Sequence, residues 1–338
     1  MQINTKSVKL ALPSKGALEK LTTNLLAACG LSVFRPNDRQ YVASVPALPH
    51  LTILFQRAAD IFTKVEEGSV DLGITGFDVF WEMGAGQDNV VTVCDRLGYG
   101  KCELVLAVPE SWMDVDSIED LAELSLLFKE KGRILRIATK YPNTTRKWLY
   151  QKRIVNFSLV EVQGAMEAAP SMGYADMIAD ITSTGTTLRE NRLKQINGGT
   201  LIKSQACLIG NKRLLQEDEL KLDTVRIILE LIEAQLAAKK FISITANVRG
   251  NSPEEIGKCL MDNSELSGLS GLRGPTIAKV YTPDGDDWYA ATIVVEQSML
   301  LCAISHLRQV GGTDITVFSP DYVFGSQSQY YQSFLEKL

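Results

Sequence analysis

Asp180 closes a short apolar run, Met177 to Ile181, and the chain then opens into Thr182-Ser183-Thr184-Gly185-Thr186-Thr187-Leu188. Hydroxyls and a glycine behind a strand that delivers an acid are the parts of a phosphate cradle. Consecutive backbone N–H groups and Thr/Ser hydroxyls wrap a phosphate dianion, and a following helix adds the positive end of its dipole. The polar, helix-compatible run Leu188 to Gln195 is expected to supply that helix. No lysine stands in the loop, so it is not the GxxxxGK[ST] phosphate loop. The acid suits a sugar, because one carboxylate accepts hydrogen bonds from two vicinal hydroxyls. Cradle and acid together read as a phosphoribosyl site. The plainer alternative is a Ser/Thr-rich turn that caps a helix.

Glu167, Gly173, Asp180, Thr184-Gly185, Thr187 and Leu188 also fill a longer pattern without a departure. That pattern is a glutamate, a glycine six residues on, an acid, a spacer, then Ser/Thr-Gly-x-Thr and an aliphatic residue. It resembles the signature of the ATP phosphoribosyltransferases, which open histidine biosynthesis.

The elements that must position this loop alternate. Val8 to Leu12 reads as a strand, Leu18 to Ala28 as a helix closed by Gly30, and Leu51 to Phe55 as a strand with a helix through Val65. Val70 to Gly76 is a strand running into a glycine turn. A second α/β unit follows Glu103 to Val108, with a strand at Arg136 to Ala138, a helix at Thr145 to Lys152, a strand near Val160 and the signature loop. Leu201 to Ile209 reads as one more strand, able to return the chain to the first unit. Such alternation predicts largely parallel sheets whose ligands sit at the strands' C-terminal ends. Two such lobes leave a cleft, a common place for a ligand. A charged helix from about Asn211 to Lys240 then connects to a different pattern: strand Phe241–Val248, helix Pro253–Met261, strands Thr276–Tyr281 and Trp288–Val295, helix Met299–Val310, strand Ile315–Phe318. That βαββαβ order is ferredoxin-like.

Other segments extend the resemblance over about residues 8 to 210. Lys15-Gly16 follows the first strand, with Ala17 where many family members carry arginine. Arg57 and Asp60 match an Arg-x-x-Asp-Ile element, which by itself is also an ordinary i,i+3 surface pair. Gly73-Ile-Thr-Gly76-Phe-Asp78, the Tyr99-Gly100-Lys101 segment and Arg136-Ile-Ala-Thr139-Lys140-Tyr141-Pro142-Asn143 match further family segments. Residues 241–325 are similar to the ACT-like regulatory domain of the family's long form.

Composition sets the bounds. A net charge of −5 argues against a nucleic-acid partner. No apolar run approaches the ~20 residues that span a bilayer, so no membrane partner is expected. The six cysteines are scattered without a CxxC pair, which fits reduced thiols better than a disulfide framework or a zinc site. His50 and His306 stand near no nucleophile motif or metal-ligand spacing. The opening residues lack a signal-peptide core, so a cytoplasmic location is expected, or the plastid stroma for the mature part of a plant protein.

The resemblance implies a two-lobed, periplasmic-binding-protein-like catalytic core and the transfer of a phosphoribosyl group from phosphoribosyl pyrophosphate to N1 of ATP. The expected organisation is lobe I at 1–104 plus about 199–222, lobe II at 105–198, a connecting helix at 223–240 and a regulatory domain at 241–338. Catalytic roles are expected for Asp180, Lys15, Lys101 and Glu167, and phosphoribosyl pyrophosphate contacts for Asp180, Thr182, Ser183, Thr184, Gly185, Thr186, Thr187 and Lys140. ATP contacts fall to Arg57, Gly76, Asp78, Tyr99, Thr139 and Tyr141, and effector contacts to Asn251, Leu272 and Thr276. Mg²⁺ is expected as cofactor, held mainly through substrate oxygens and with no protein ligand assigned. Histidine is the implied inhibitor, AMP or ADP further ones, and a homohexamer built from dimers the implied assembly. A solute-binding receptor or a catalytically silent regulatory subunit would share the two-lobed plan, since fold does not fix function.

Overall fold

The computed structural model describes residues 7–37, 39–84, 88–162, 165–261, 274–282 and 287–338. It divides into two compact units, one running to Arg226 and including Tyr330–Leu338, the other Ile227–Gln329.

The first unit holds two sheets. In chain order the first lobe runs β1 (Val8–Pro13), α1 (Ala17–Ala28), β2 (Val42–Ser44), β3 (Leu51–Gln56), α2 (Ala58–Glu66), β4 (Leu72–Gly76), α3 (Phe77–Met83) and β5 (Val90–Cys94). The second runs β6 (Cys102–Pro109), α4 (Ile118–Glu130), β7 (Leu135–Thr139), α5 (Pro142–Gln151), β8 (Phe157–Val160), β9 (Met177–Thr182), α6 (Thr186–Glu190) and β10 (Leu193–Ser204). The chain then returns to the first sheet as β11 (Ala206–Asn211). The orders are β2-β3-β1-β4-β11-β5 and β10-β6-β9-β7-β8. In the first sheet β1 pairs parallel with both β3 and β4. Burial follows from that: β1 is covered on both faces and reads as an almost unbroken apolar run. Gly73 in β4 is required by packing, since a Cβ there would lie 2.4 Å from Ile61 Cγ2 of α2. Helix and sheet meet at a distance that only glycine permits.

The chain crosses between the sheets twice, and the crossings are bonded together. Leu97 N–H donates to the Ala206 carbonyl at 3.1 Å, and Ala206 N–H to the Tyr99 carbonyl at 3.0 Å. Phe77 N–H reaches the Gln205 carbonyl at 2.9 Å. Leu201 to Ile209 is therefore not one strand. It divides at Gln205, with β10 antiparallel to β6 in the second sheet and β11 antiparallel to β4 in the first. The run Leu188 to Gln195 is not one helix either. Asn191 ends α6, Arg192 takes a left-handed φ of 54°, and Leu193 enters β10, because pairing with β6 satisfies more backbone than another helical turn.

Asn211 to Lys240 likewise divides into α7 (Lys212–Gln216) and α8 (Glu219–Ala238). The Asn211 side chain accepts from Leu214 N–H at 3.0 Å and Asp218 Oδ1 from Leu220 N–H at 2.9 Å, so each helix has its own start. Val225, Ile228, Leu229 and Ile232 make the buried stripe of α8 at helical spacing.

The second unit carries β12 (Phe241–Arg249), α9 (Pro253–Met261), β13 (Thr276–Val280), β14 (Trp288–Glu296), α10 (Leu300–Gln309) and β15 (Thr313–Phe318). Its antiparallel sheet has the order β13-β14-β12-β15, which is the ferredoxin-like arrangement. Ile244, Ala246, Ile256, Leu260, Ala303 and Leu307 lie in its core. The last helix, α11 (Gln329–Leu335), belongs with the first unit from Tyr330 on; it buries Phe334, and the Leu338 carbonyl accepts from the Gln216 side chain of that unit at 2.6 Å.

Candidate active site

Two strand ends bring the Thr182–Leu188 loop and its neighbours together. β7 and β9 are parallel, with Thr139 level with Ala179, so the segments after Thr139 and after Asp180 leave the same edge of the sheet. β6 runs antiparallel on the other side of β9, with Glu103 opposite Thr182. Lys101, two residues before Glu103, is thus level with Thr184 by continuation of that register. Glu167, Asp180, Ile181, Thr182, Ser183, Thr184, Thr186, Thr187 and Leu188 line one pocket of about 110 Å³.

The loop is shaped by its own side chains. Thr182 Oγ1 accepts from Gly185 N–H at 2.9 Å, and the Thr184 and Thr186 hydroxyls lie 3.0 Å apart. Gly185 sits at φ +70°, the left-handed region, which turns the chain into α6. Leu188 is buried and anchors the end of the loop, while Ser183, Thr184, Thr186 and Thr187 stay exposed.

Asp180 is half-buried, and one of its oxygens accepts from Ile181 N–H at 2.8 Å. Burial pushes its carboxyl above the usual range. The Ile181 N–H and the charge of Lys140 oppose the shift, and the Glu167 carboxylate adds to it. Two acids and a ring of hydroxyls in one pocket are hard oxygen donors, the set that suits Mg²⁺. No cluster of three or more His, Cys, Asp or Glu side chains able to hold a metal occurs among the described residues. The donor set fits an ion that substrate oxygens help to hold.

The first lobe assembles a second group. Lys15 follows β1, Arg57 follows β3 and Gly76 ends β4, three parallel strands whose C-terminal ends share an edge. Lys15 and Arg57 are exposed, and no ion pair joins Arg57 to Asp60.

The remaining expected ATP contacts have internal partners. The Tyr99 hydroxyl lies 2.7 Å from Thr22 Oγ1 of α1, and burial raises its pKa strongly. Thr139 is buried, and its Oγ1 accepts from Tyr141 N–H at 3.0 Å. The Tyr141 hydroxyl donates to Asp78 Oδ2 at 2.9 Å, and burial and then the Asp78 charge raise its pKa far above the usual tyrosine range. Asp78 Oδ1 also accepts from the Ser204 hydroxyl at 2.7 Å.

Of the effector residues, Leu272 lies outside the described residues. Thr276 opens β13 level with Thr292 and Thr245, whereas Asn251 lies beyond Arg249, at the end where β12 pairs with Trp288. The register does not bring those two side by side within one chain.

Three residues that the sequence reading passed over belong to this region. Arg189 is exposed on α6, its Nη2 3.4 Å from Thr186 Oγ1, and it pairs with no carboxylate among the described residues. Its position one residue past the loop was the available signal. Glu82 caps α5 from α3, and its spacing of four from Asp78 would have put both acids on one helix face. Asp176 fixes the base of β9 by accepting from Arg136 N–H at 2.8 Å and from Nη2 at 2.9 Å.

The two-lobed α/β core and the pocket shared by Glu167, Asp180 and the loop hydroxyls fit a phosphoribosyltransferase. Comparison with known proteins narrows the class. Residues 57–234 match the family described as ATP phosphoribosyltransferase and residues 238–320 match the HisG C-terminal domain. The chain is 38% identical to ATP phosphoribosyltransferase 2, chloroplastic, of Arabidopsis thaliana, over 99% of this chain and 82% of that protein. It is 32% identical to the ATP phosphoribosyltransferase of Rhodopseudomonas palustris (strain HaA2), over 95% of each. Among solved structures, the ATP phosphoribosyl transferase (HisG:HisZ) complex from Thermotoga maritima aligns with a TM-score of 0.50 at 25% identity, covering 67% of this chain and 98% of that one. The chain belongs to the ATP phosphoribosyltransferase family, in its long form with the C-terminal domain. It is a pentosyltransferase whose substrates are ATP and phosphoribosyl pyrophosphate, and its reaction is the first step of histidine biosynthesis. No helix among the described residues is long and apolar enough to cross a membrane.

Proposed function

We propose that the Asp180 loop is where phosphoribosyl pyrophosphate is held and opened. The loop N–H groups and the hydroxyls of Thr182, Ser183, Thr184, Thr186 and Thr187, with Gly185 at the turn, take the 5′-phosphate, and Asp180 takes the ribose hydroxyls. Lys15, Lys101 and Lys140 balance the charge of the pyrophosphate. Arg57 and Gly76 face ATP, and Asp78, Tyr99, Thr139 and Tyr141 shape that side through their own bonds. The N1 lone pair of adenine attacks the anomeric carbon as the bond from that carbon to the pyrophosphate oxygen breaks, and the electron pair leaves with pyrophosphate. No base is needed for a ring nitrogen with a free lone pair. The protein's work is positioning and stabilisation of developing charge. When bound, Mg²⁺ would supply charge neutralisation at the pyrophosphate, and Asp180 and Glu167 are the acids of the pocket that would help substrate oxygens to hold it. The observation that carries this reading is the single pocket shared by Glu167, Asp180 and the loop hydroxyls.

The C-terminal unit is proposed to bind histidine as a feedback inhibitor through Asn251, Leu272 and Thr276, with AMP or ADP as further inhibitors at the nucleotide side. Assembly into a homohexamer built from dimers would let the ferredoxin-like sheets of several copies meet. Inhibition at a distance requires histidine to favour one of two global states, a coupling of about 1–3 kcal/mol. The protein would work in the cytoplasm, or in the plastid stroma if it is the mature part of a plant protein. A spectroscopic assay of phosphoribosyl-ATP with Mg²⁺ and both substrates, with and without millimolar histidine, tests both parts. Turnover that histidine suppresses is expected. Turnover indifferent to histidine, with no change in melting temperature, would remove the regulatory part.

A further inference from the structure

We infer that α3 carries a pair of acids whose task is to dock the second lobe onto the first, and that Glu82 is a positioning residue for the segment Thr139–Tyr141. The inference rests on the phosphoribosyl reading of the neighbouring loop. α5 starts poorly by itself. Its N-cap is Tyr141, which makes no capping hydrogen bond, and Pro142 supplies no N–H. The next two donors, Asn143 N–H and Thr144 N–H, go to Glu82 Oε1 at 2.8 Å and Oε2 at 2.9 Å. The Asn143 side chain also donates to the Glu82 carbonyl at 3.2 Å. The cap of a helix in one lobe is therefore a carboxylate from a helix in the other.

Glu82 is only 8% exposed and forms no ion pair with a cation among the described residues. A carboxylate so buried needs compensation, and here the compensation is the N-terminus of α5, both its free donors and the positive end of its dipole. Asp78, four residues earlier and on the same face of α3, holds the Tyr141 hydroxyl. Lys147 of α5 lies over the Trp81 ring at 5.7 Å, a third contact between the same two helices.

The gripped turn is the one that follows Thr139 and Lys140 at the end of β7, next to the end of β9 that carries Asp180. Lys140 is close enough to Asp180 to stabilise its charge. Fixing Asn143 and Thr144 therefore fixes where Lys140 stands relative to the loop, and it ties the two lobes together through α3 and α5. A carboxylate on the α5 donors also keeps substrate phosphates away from that helix end and leaves the Asp180 loop as the place to bind them.

The test compares wild type with Glu82→Ala and Glu82→Gln by amide hydrogen exchange at residues 143–144 and by kcat and KM for each substrate, per folded site. In Glu82→Ala, exchange at those two amides should rise at least tenfold, and kcat/KM for phosphoribosyl pyrophosphate should fall at least tenfold. Gln keeps an acceptor oxygen and should recover part of both losses. Faster exchange with unchanged kinetics would make Glu82 a helix cap only and overturn the positioning role. Unchanged exchange would overturn the latch itself. Should Ala fail to fold, the Gln variant carries both readouts. Absence of turnover in wild type would be a failure of the functional reading, and the exchange arm would still decide the latch.

Discussion

Replacing Asp180 by Asn should lower catalysis and raise the stability of the free protein, two effects with one cause. The carboxylate is half-buried, burial pushes its pKa up, and nearby Glu167 pushes it further. A carboxyl whose folded pKa lies above its unfolded value costs stability when ionised. That cost is absent below the unfolded pKa and fully present once the pH has passed the folded pKa. Asn removes the charge and keeps an acceptor for Ile181 N–H. The variant's melting temperature should therefore exceed wild type at neutral pH, and the gap should close as the pH falls through the carboxylate range. Catalysis moves the other way. A hydrogen bond to a charged group contributes about 1.5–3 kcal/mol, and Asn turns one of the two acceptor oxygens into a donor while removing the charge from the other. A loss of ~2–3 kcal/mol corresponds to roughly a 30- to 150-fold lower kcat/KM for phosphoribosyl pyrophosphate. The assays are a thermal melt across pH without ligand and steady-state turnover with each substrate varied. Wild-type kcat/KM in the variant would refute the role given to Asp180. A stability gain that grows toward acid would refute the electrostatic argument.

Other expectations follow from single contacts. Gly185→Ala forces a Cβ onto a left-handed turn at φ +70°, where the close neighbour among the described residues is the flexible end of Arg189 at 3.2 Å. It should cost about 1 kcal/mol of stability by chemical denaturation and weaken phosphoribosyl pyrophosphate use. Arg189→Ala should raise KM for phosphoribosyl pyrophosphate several-fold and leave KM for ATP unchanged, and a change in the ATP value alone would move Arg189 to the other substrate. Burial alone would raise the Asp176 carboxyl, but the hydrogen bonds and charge of Arg136 outweigh it and hold it below the usual range. A depressed carboxyl contributes stability above its unfolded pKa that is lost as the pH falls through the folded one. Asp176→Asn should therefore lose about 0.5–1.5 kcal/mol at neutral pH, the half-exposed Arg136 being screened by solvent, and less on acidification, as read from urea melts at several pH values.

The parts legible in the sequence are those whose pattern is local. The buried strand at Val8 to Leu12, the turn at Gly76, the loop after Asp180 and the βαββαβ order of the C-terminal unit each carry their signal within a few residues. Helix α4 also carries such a signal, the capping box of Ser117 and Asp120 at its start. What could not be read was the sharing of residues between elements. Gln205 looks like any residue inside an apolar run, yet two sheets divide there because β6 and β4 compete for the same strand. Tyr141 and Asp78 look like ligand contacts, and in the fold they bond to each other across 63 residues. Glu82 looks like a surface acid on a short helix. Its partners are backbone N–H groups 61 and 62 residues away, and no side-chain pattern announces those.

The claim at the centre is that the Asp180 loop holds phosphoribosyl pyrophosphate. Calorimetric titration of that substrate, with Mg²⁺, into wild type and into the double variant Asp180→Asn, Thr184→Val measures it directly, with an ATP titration of the same samples as the check on folding. Wild type should bind phosphoribosyl pyrophosphate, and the double variant should lose most of that affinity while binding ATP as before. Equal affinity of both proteins for phosphoribosyl pyrophosphate would contradict the assignment.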